Sequence, residues 1–341
     1  MMSSPARWAL SLSLTLAACG GGSNSNPSGP SDPSGNGGLA GVGAGPLVFR
    51  ASPVALDAIR FITPLGNLNP PDHTLPTDHI YFYVANPDQG ESPASRRTDF
   101  FAPADGIVAD VINNGAGADR KVRVQATPTI VYYLDHLVPE IALSRGTKLT
   151  AGQRIGTTGS TSFGIDLGVV NDALTLSFVN PSRWNSETLH ADAPLKYYEE
   201  PLRSQLYSRV QRIGPDLDGR IDFDVAGRLS GAWFGESDAA PMAFVYDTYD
   251  PSQVRISVAR GLSQLGVFAV AATDPLPRDI SVGSGKVIYT LFRSRTGPPV
   301  GGSASGRMLV QMLDDRRVRV EIFGQLAGPI DFTAAAKVFA R

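Results

Sequence analysis

Beyond residue 46, short runs of alternating apolar and polar residues follow one another along the chain, separated by Gly, Pro and Asn. Two such runs in the first half are 106–111 and 121–125, and two further runs, 129–134 and 165–170, are rich in β-branched or aromatic residues. Alternation with a period of two indicates β-strands with one buried face, and the turn residues indicate short antiparallel connections. The pattern therefore predicts a mainly β protein, with a first antiparallel domain over residues 47–195.

The same alternation continues to residue 341 and predicts a second antiparallel domain over residues 217–341. The eight predicted strands are Arg220–Val225, Leu229–Phe234, Met242–Tyr246, Val254–Ala259, Val267–Ala272, Lys286–Phe292, Arg307–Leu313 and Arg317–Phe323. Asp314 and Asp315 predict a tight turn between the last two strands. Eight strands in sequence order favour a small antiparallel barrel or a sandwich.

The stretch between the two domains has a different period. Leu195, Tyr198, Leu202 and Leu206 recur at intervals of three or four residues, which is the spacing of one face of a helix. We therefore predict a helical linker over residues 196–216, packed between the domains.

The N-terminal residues show neither the period of two of a strand nor the spacing of three or four residues of a helix. Arg7 is followed by the uncharged run Trp8–Ala18, which is too short to span a bilayer and is typical of a signal-peptide core. Cys19, the single cysteine of the chain, follows directly. The segment 19–46 is rich in Gly, Ser, Asn and Pro, so it is predicted to be a flexible tether on the order of 30 Å long.

The segment Leu16-Ala17-Ala18-Cys19 resembles the lipobox of bacterial lipoproteins. That resemblance implies removal of residues 1–18 as a signal peptide and lipidation of the Cys19 sulfur, with palmitate as a typical acyl group. Gly20, rather than Asp, follows the cysteine, which in such lipoproteins implies export to the outer membrane. The expected location is a lipid-anchored protein of the outer membrane, with its body in the periplasm or at the cell surface.

Composition narrows the range of partners. The formal net charge is only −2, so nothing favours a polyanion, and we expect no nucleic-acid partner. Because Cys19 is the single cysteine, no intrachain disulfide can form, and stability must come from packing. The expected partners are the membrane, through the lipid anchor, and either peptidoglycan or another envelope protein.

Four segments of the first domain carry a second resemblance. They are Ala102–Val108 with its Pro-x-x-Gly turn, Tyr133–Leu137 with a His-Leu pair, Gly146–Gly156 with a Gly-Gln-x-Ile-Gly-like ending, and Thr158–Thr161. Their order and spacing resemble the LytM-like domain of the M23 family of zinc metallopeptidases. The resemblance implies an antiparallel β domain that in the family hydrolyses peptidoglycan cross-links.

The residues of the family's zinc site are altered here. In that family a His-x-x-x-Asp pair and the second His of a His-x-His strand hold zinc, and one position stays open for water. In this chain Asp166 and Gly168 stand in place of the His-x-His histidines, and Thr77 stands four residues after His73. His136 matches the family's transition-state histidine and is the catalytic candidate.

Two interpretations of these residues remain open. In the first, His73, His79 and Asp166 hold zinc in a remodelled site, with Asp78 as a hydrogen-bonding partner around it, since imidazole and carboxylate both suit zinc. In the second, these polar groups form hydrogen bonds with one another in a groove that binds no metal. Zinc is the one candidate cofactor.

The leading functional hypothesis is a binding or scaffolding role at the cell wall, without peptidase activity. The alternative is a zinc-dependent peptidoglycan hydrolase. A third hypothesis assigns a small ligand to the second domain, because Gly231-Ala232-Trp233 resembles the Gly-x-Trp of lipocalin- and avidin-like barrels. The competing interpretation of Trp233 is a side chain that fills the core.

Overall fold

The structure, a computed structural model, describes residues 39, 41–115, 117–236, 240–293 and 303–341. The predicted signal peptide, Cys19 and most of the tether lie outside these residues. Within the described part, the named strands pair antiparallel and form an open sheet followed by a closed barrel. The prediction of a mainly β protein with two antiparallel β units is therefore confirmed, and the second unit is a barrel.

The open sheet is built from short strands in the first half of the chain. Its strands are β1 Phe61–Thr63, β2 His79–Tyr83, β3 Asp99–Phe101, β4 Gly106–Asn113, β5 Arg120–Thr127, β6 Ile130–Pro139, β7 Lys148–Leu149, β8 Arg154–Thr158, β9 Gly164–Asn171 and β10 Ala191–Asp192. The order across the sheet is β1-β2-β9-β6-β5-β4-β7. In addition, β10 pairs with β9, and β8 pairs with both β6 and β3.

Helical segments are few and short. The α-helices are α1 Ser186–Leu189 and α2 Leu202–Tyr207. Single 3-10 turns lie at Leu56–Ala58, Pro87–Gln89, Pro93–Arg96, Pro181–Arg183, Pro194–Tyr197, Pro277–Asp279 and Val282–Ser284. No helix in the described residues has the length and apolar character needed to cross a membrane.

The barrel closes by pairing its first strand with its last. Its strands are β11 Gly231–Gly235, β12 Met242–Tyr246, β13 Val254–Val258, β14 Gly266–Val270, β15 Lys286–Arg293, β16 Gly306–Asp314, β17 Arg317–Phe323 and β18 Lys337–Ala340. Each strand pairs with the next, and Phe234 of β11 lies opposite Ala340 of β18. The turn that joins β16 to β17 consists of Asp315 and Arg316, one residue later than predicted, and Asp314 is the last residue of β16.

Large apolar side chains fill the barrel. Trp233, Phe244, Phe268, Tyr289 and Phe339 have at most 1% of their surface exposed. The Trp233 indole nitrogen donates a hydrogen bond to the Leu229 carbonyl, and the Arg341 guanidinium stacks 3.7 Å from the Trp233 ring centre. Trp233 therefore fills the core, and this packed interior argues against the hypothesis of a ligand inside the barrel.

The predicted strand Arg220–Val225 is wrong, because that segment is not part of either sheet. Its Asp224 carboxylate instead accepts hydrogen bonds from the backbone N–H groups of Val179 and Ala232. Side-chain acceptors of this kind compete with the pairing of strands. The eighth barrel strand is β18, which the alternation did not predict.

The helical linker is much shorter than predicted. Only Leu202–Tyr207 is α-helical, preceded by the 3-10 turn Pro194–Tyr197. Pro201 lacks the N–H that would continue a helix from one segment into the other, so the apolar period spans two separate turns. Their apolar residues Leu195, Tyr198 and Leu206 pack into the core of the first domain.

The loop that joins β1 to β2 rests on the outside of the barrel. Its Leu68 and Leu75 cluster with Ala243, Val245 and Val267 of the barrel strands. The Thr248 hydroxyl donates a hydrogen bond to the Gly66 carbonyl at the start of the same loop. The barrel thus supports a loop that carries His73.

Candidate functional site

One face of the central strands carries the core, and the other carries the polar residues singled out in the sequence. Alternate positions on β2, β6 and β9 are buried and apolar: Ile80, Phe82, Tyr132, Leu134, Ile165 and Leu167. The register pairs Tyr81 with Asp166, Asp135 with Asp166, His79 with Gly168 and Tyr133 with Gly168. Because facing residues of antiparallel strands share a side of the sheet, the five polar side chains of this group lie in one groove, together with Gly168.

His79 lies between two carboxylates in this groove. Its Nδ1 is 3.0 Å from Asp78 Oδ1, and its Nε2 is 2.9 Å from the Tyr81 hydroxyl and 3.4 Å from Asp166 Oδ2. Burial alone would lower the pKa of His79, but the charge of Asp166 and the hydrogen bond to Asp78 raise it above its usual value. The two carboxylates therefore favour the imidazolium form of His79.

Asp78 uses both carboxylate oxygens within the protein. Besides His79, the Tyr133 hydroxyl donates to Oδ1 at 2.9 Å, and the Thr188 hydroxyl donates to Oδ2 at 2.5 Å. Burial works against the charged form, yet the hydrogen bonds from His79 and Thr188 hold the pKa of Asp78 well below its usual range. Asp78 is therefore a charged and fully bonded acceptor.

His136 is placed by an irregularity in β6. Between the pairs Arg120–Leu137 and Val122–Leu134, β6 has one residue more than β5, and the backbone of His136 has a φ of 64°. A bulge of this kind re-aims a side chain relative to the regular alternation. The imidazole Nδ1 lies 2.9 Å from Asp119 Oδ2, and Nε2 lies 3.7 Å from Asp166 Oδ2.

The charge state of His136 follows from these neighbours. Burial would lower its pKa, but Asp166 and the hydrogen bond to Asp119 raise the pKa to about 10. Burial raises the pKa of Asp166, while His79 and His136 oppose that shift. Carboxylates and imidazoles therefore alternate along one line: Asp78, His79, Asp166, His136 and Asp119.

His73 reaches the same groove from the loop that rests on the barrel. Its ring centre lies 5.5 Å from that of His79, and its backbone N–H and carbonyl both bond to Asn69. Burial and the positive charge of His79 lower the pKa of His73 to about 4. His73 is therefore neutral at pH 7, whereas the surroundings of His79 and His136 favour their charged forms.

The structure brings together the residues that the sequence selected, but not as one compact ligand set. His73, His79, His136 and Asp166 all border the groove. Among the described residues, however, one group of three has candidate ligand atoms that all lie within 4.8 Å of one another, and it consists of Asp119, Asp135 and His136. The sequence interpretation missed Asp119 and Asp135, although Asp135 directly precedes His136.

A zinc site of the family's arrangement does not fit this groove. A Cβ atom added at Gly168, where the resemblance places a zinc-binding histidine, would lie 2.1 Å from the Tyr133 ring. The Tyr133 ring is covered on one face by the Lys121 ammonium, 3.9 Å from its centre, and Lys121 is ion-paired with Glu187 at 2.6 Å. The Tyr133 side chain therefore takes the space that a ligand at residue 168 would need.

No protein-family model matches the chain, and no curated protein sequence matches it. Among solved structures, a zinc-containing peptidase from Vibrio cholerae is similar at 20% identity over 37% of this chain and 37% of that chain, with a TM-score of 0.29. Helicobacter pylori Csd3 is similar at 18% identity over 45% of this chain, also with a TM-score of 0.29.

Lysostaphin, solved by NMR, is similar at 13% identity over 85% of this chain and 91% of that chain, with a TM-score of 0.31. The match with Csd3 covers 33% of that protein, so this chain spans about a third of the length of the first structures it matches. At these identities the likeness concerns the fold and transfers no residue role to this chain.

Proposed function

We propose that this chain is a lipid-anchored protein of the bacterial cell envelope whose first domain binds a cell-wall partner without hydrolysing it. The observation that carries the proposal is the position of Tyr133. Its ring fills the space above Gly168, and its hydroxyl donates to Asp78. The groove therefore keeps polar residues at the surface of an M23-like sheet while lacking room for the family's zinc ligand.

The hydrolase alternative needs a metal with an open position for water. Asp78 accepts from Tyr133, Thr188 and His79, so its oxygens are already engaged within the protein. The His79 ring nitrogens face Asp78 and Tyr81 in the same way. Zinc binding to these residues would have to break several of these contacts, which favours the binding role over the hydrolase.

The anchor and the location are part of the proposal. The lipobox-like segment ending at Cys19 and the Gly- and Ser-rich tether after it support lipidation and attachment to the outer membrane. A tether on the order of 30 Å would let the body reach peptidoglycan or another envelope protein from the membrane surface. In this proposal the barrel serves as a support for the loop that carries His73, rather than as a container for a ligand.

Lipidation is tested by growing cells that express the full chain with labelled palmitate. We expect label on the wild-type protein and none on Cys19→Ser, which changes one atom of the side chain. Equal labelling of the two proteins would contradict the anchor.

The role of the groove is tested with purified peptidoglycan. We expect the full chain to sediment with peptidoglycan and to release no soluble muropeptides over a long incubation. Release by the wild type that is lost in Asp166→Asn would overturn the proposal in favour of the hydrolase. If the chain neither sediments nor releases fragments, peptidoglycan is excluded as the partner, and crosslinking in intact cells would identify an envelope protein instead.

A further inference from the structure

We propose that Asp119, Asp135 and His136 bind one divalent transition-metal ion at the edge of the groove, apart from the zinc position that the M23 resemblance implies. The candidate ligand atoms of these three residues all lie within 4.8 Å of one another. The His136 side chain is 38% exposed and that of Asp119 is 21% exposed, so an ion can reach them from solvent. The proposal does not depend on whether the groove binds peptidoglycan.

The bulge in β6 assembles this set from residues that a regular strand would separate. Asp135 and His136 are consecutive, and consecutive side chains of a regular strand point to opposite faces. The extra residue and the left-handed backbone of His136 remove that alternation. Asp119 directly precedes β5, whose first residue, Arg120, pairs with Leu137 just beyond the bulge. The hairpin register therefore brings Asp119 beside His136.

Hydrogen bonds from neighbouring groups orient the two carboxylates, as such bonds orient the ligands of known metal sites. Asn114 Nδ2 donates to Asp119 Oδ1 at 3.2 Å and also donates to Asp135 Oδ1. The backbone N–H of His136 donates to the same Asp135 oxygen at 2.8 Å. These bonds fix one oxygen of each carboxylate and leave Asp119 Oδ2, which faces His136 Nδ1, and Asp135 Oδ2 for an ion.

The second nitrogen of His136 faces the buried Asp166, which is only 5% exposed. A carboxylate beside one imidazole nitrogen holds the proton there and leaves the lone pair of the other nitrogen for a metal. In the metal-free chain Nδ1 lies 2.9 Å from Asp119 Oδ2, so a metal ion that binds both atoms takes the place of the proton on Nδ1. The displaced proton is released to solvent, and the proton on Nε2 stays beside Asp166.

The donor set indicates the class of ion. One imidazole nitrogen and two carboxylate oxygens suit zinc or manganese, whereas copper(I) prefers sulfur and magnesium prefers oxygen alone. Three protein ligands leave at least one coordination position for water or for an anionic group of a partner. We commit to zinc as the probe ion, because it tolerates this mixed set in tetrahedral geometry.

The test measures zinc on the full chain after removal of metals with a chelator. Equilibrium dialysis followed by elemental analysis should give one zinc per chain. Asp119→Asn, Asp135→Asn and His136→Gln should each weaken binding at least tenfold. The matched control is His190→Gln, since His190 lies outside the groove and its Nδ1 contacts the Leu174 carbonyl. Circular dichroism of each variant checks that it is folded.

The competing ligand set is distinguished by His79→Gln and His73→Gln, which should keep the zinc. Loss of zinc in these two variants, with retention in Asp119→Asn, would place the ion in the set predicted from sequence and overturn the proposal. Absence of zinc from the wild type, or binding that no variant weakens, would overturn it as well. Muropeptide release is measured separately, so failure here leaves the proposed binding role standing.

Discussion

The groove of the first sheet and the interior of the barrel are both made by antiparallel strands. The barrel buries apolar side chains, whereas the groove buries charged ones. The barrel encloses apolar side chains such as Trp233 and Phe244. The groove places Asp78, His79 and Asp166 in contact, with at most 17% of each side chain exposed, and the carboxylates lie on either side of the imidazole. Apolar burial stabilises without further conditions, whereas buried charges are tolerated only as long as every partner stays in place.

This difference predicts which substitutions mainly lower stability and which mainly change protonation or ion binding. Truncation of a side chain inside the barrel should lower the free energy of unfolding. In molecules that remain folded, protonation and ion binding in the groove should not change. Substitution in the groove should cost less free energy but change protonation and ion binding. The following predictions test that division.

The largest effect is expected for Trp233→Ala. Trp233 is fully buried, donates to the Leu229 carbonyl and stacks with Arg341, so truncation leaves a large cavity. We expect the free energy of unfolding to fall by about 3–5 kcal/mol in urea titrations. Trp233→Phe, which keeps an aromatic ring, should cost clearly less. An equal loss in both variants would contradict the packing role.

Gly168→Ala should have the next largest effect, because its new methyl group would lie 2.1 Å from the Tyr133 ring. We expect a loss of about 2 kcal/mol, as for overpacking of a well-filled site. In a Tyr133→Ala background the same substitution should cost far less, and a double-mutant cycle measures the difference. An unchanged cost in that background would show that Tyr133 is not what excludes a side chain at residue 168.

Thr188→Val tests whether the charge of Asp78 depends on its partners. The Thr188 hydroxyl donates to Asp78 Oδ2, and valine keeps the shape but removes the donor. Hydrogen bonds to charged groups contribute on the order of 1.5 kcal/mol, so we expect a loss of that size. Thr188→Ser keeps the hydroxyl and should retain most of the stability. Equal losses for the two variants would instead indicate a packing effect.

The smallest effect over a single pH unit is a dependence of stability on pH that His73 causes. Its pKa is about 4 in the folded chain and about 6.5 when unfolded, so between these values the unfolded chain binds more protons. Acidification from pH 6.5 to 4 should therefore destabilise the protein, by no more than about 1.4 kcal/mol per pH unit for one proton. His73→Gln should flatten the profile of unfolding free energy in that window.

His136 provides an internal contrast for the same experiment. Its pKa is raised to about 10, so its stabilising contribution is complete below pH 6.5 and is lost as the pH rises towards 10. The two histidines thus change the stability in separate pH ranges and in opposite directions. Stability falls towards acid pH because of His73 and towards alkaline pH because of His136. NMR of the metal-free protein should show His73 neutral and His136 charged at pH 7. The reverse pattern would contradict the groove geometry.

The sequence predicted seven of the eight barrel strands, of which β15, β16 and β17 are seven to nine residues long. The bounds of Met242–Tyr246 and Arg317–Phe323 are the same in sequence and structure. β18 escaped prediction because four residues are too few to show a period. Arg220–Val225 alternates but is not a strand, since the Asp224 carboxylate bonds to backbone N–H groups from elsewhere in the fold.

The groove was predictable only in part. His73, His79, His136 and Asp166 were selected through their positions in recognisable segments, and the structure places them together. Tyr133, Asp119 and Asp135 were not, because their roles depend on the register between strands and on the bulge at His136. A one-residue slip in register would move each of these side chains to the other face, and no local pattern encodes it.

The seam between β11 and β18 has a consequence for how the protein folds. Gly235 and Phe339, which pair across it, are about a hundred residues apart in the chain, whereas the other barrel pairs join neighbouring strands. Closing so long a loop costs chain entropy that local hairpins do not, and non-local pairing slows folding. The hairpins should form early and the barrel should close late. Until it closes, β11 and β18 are open edges that can pair with another chain, so aggregation of partly folded molecules should begin at these two strands.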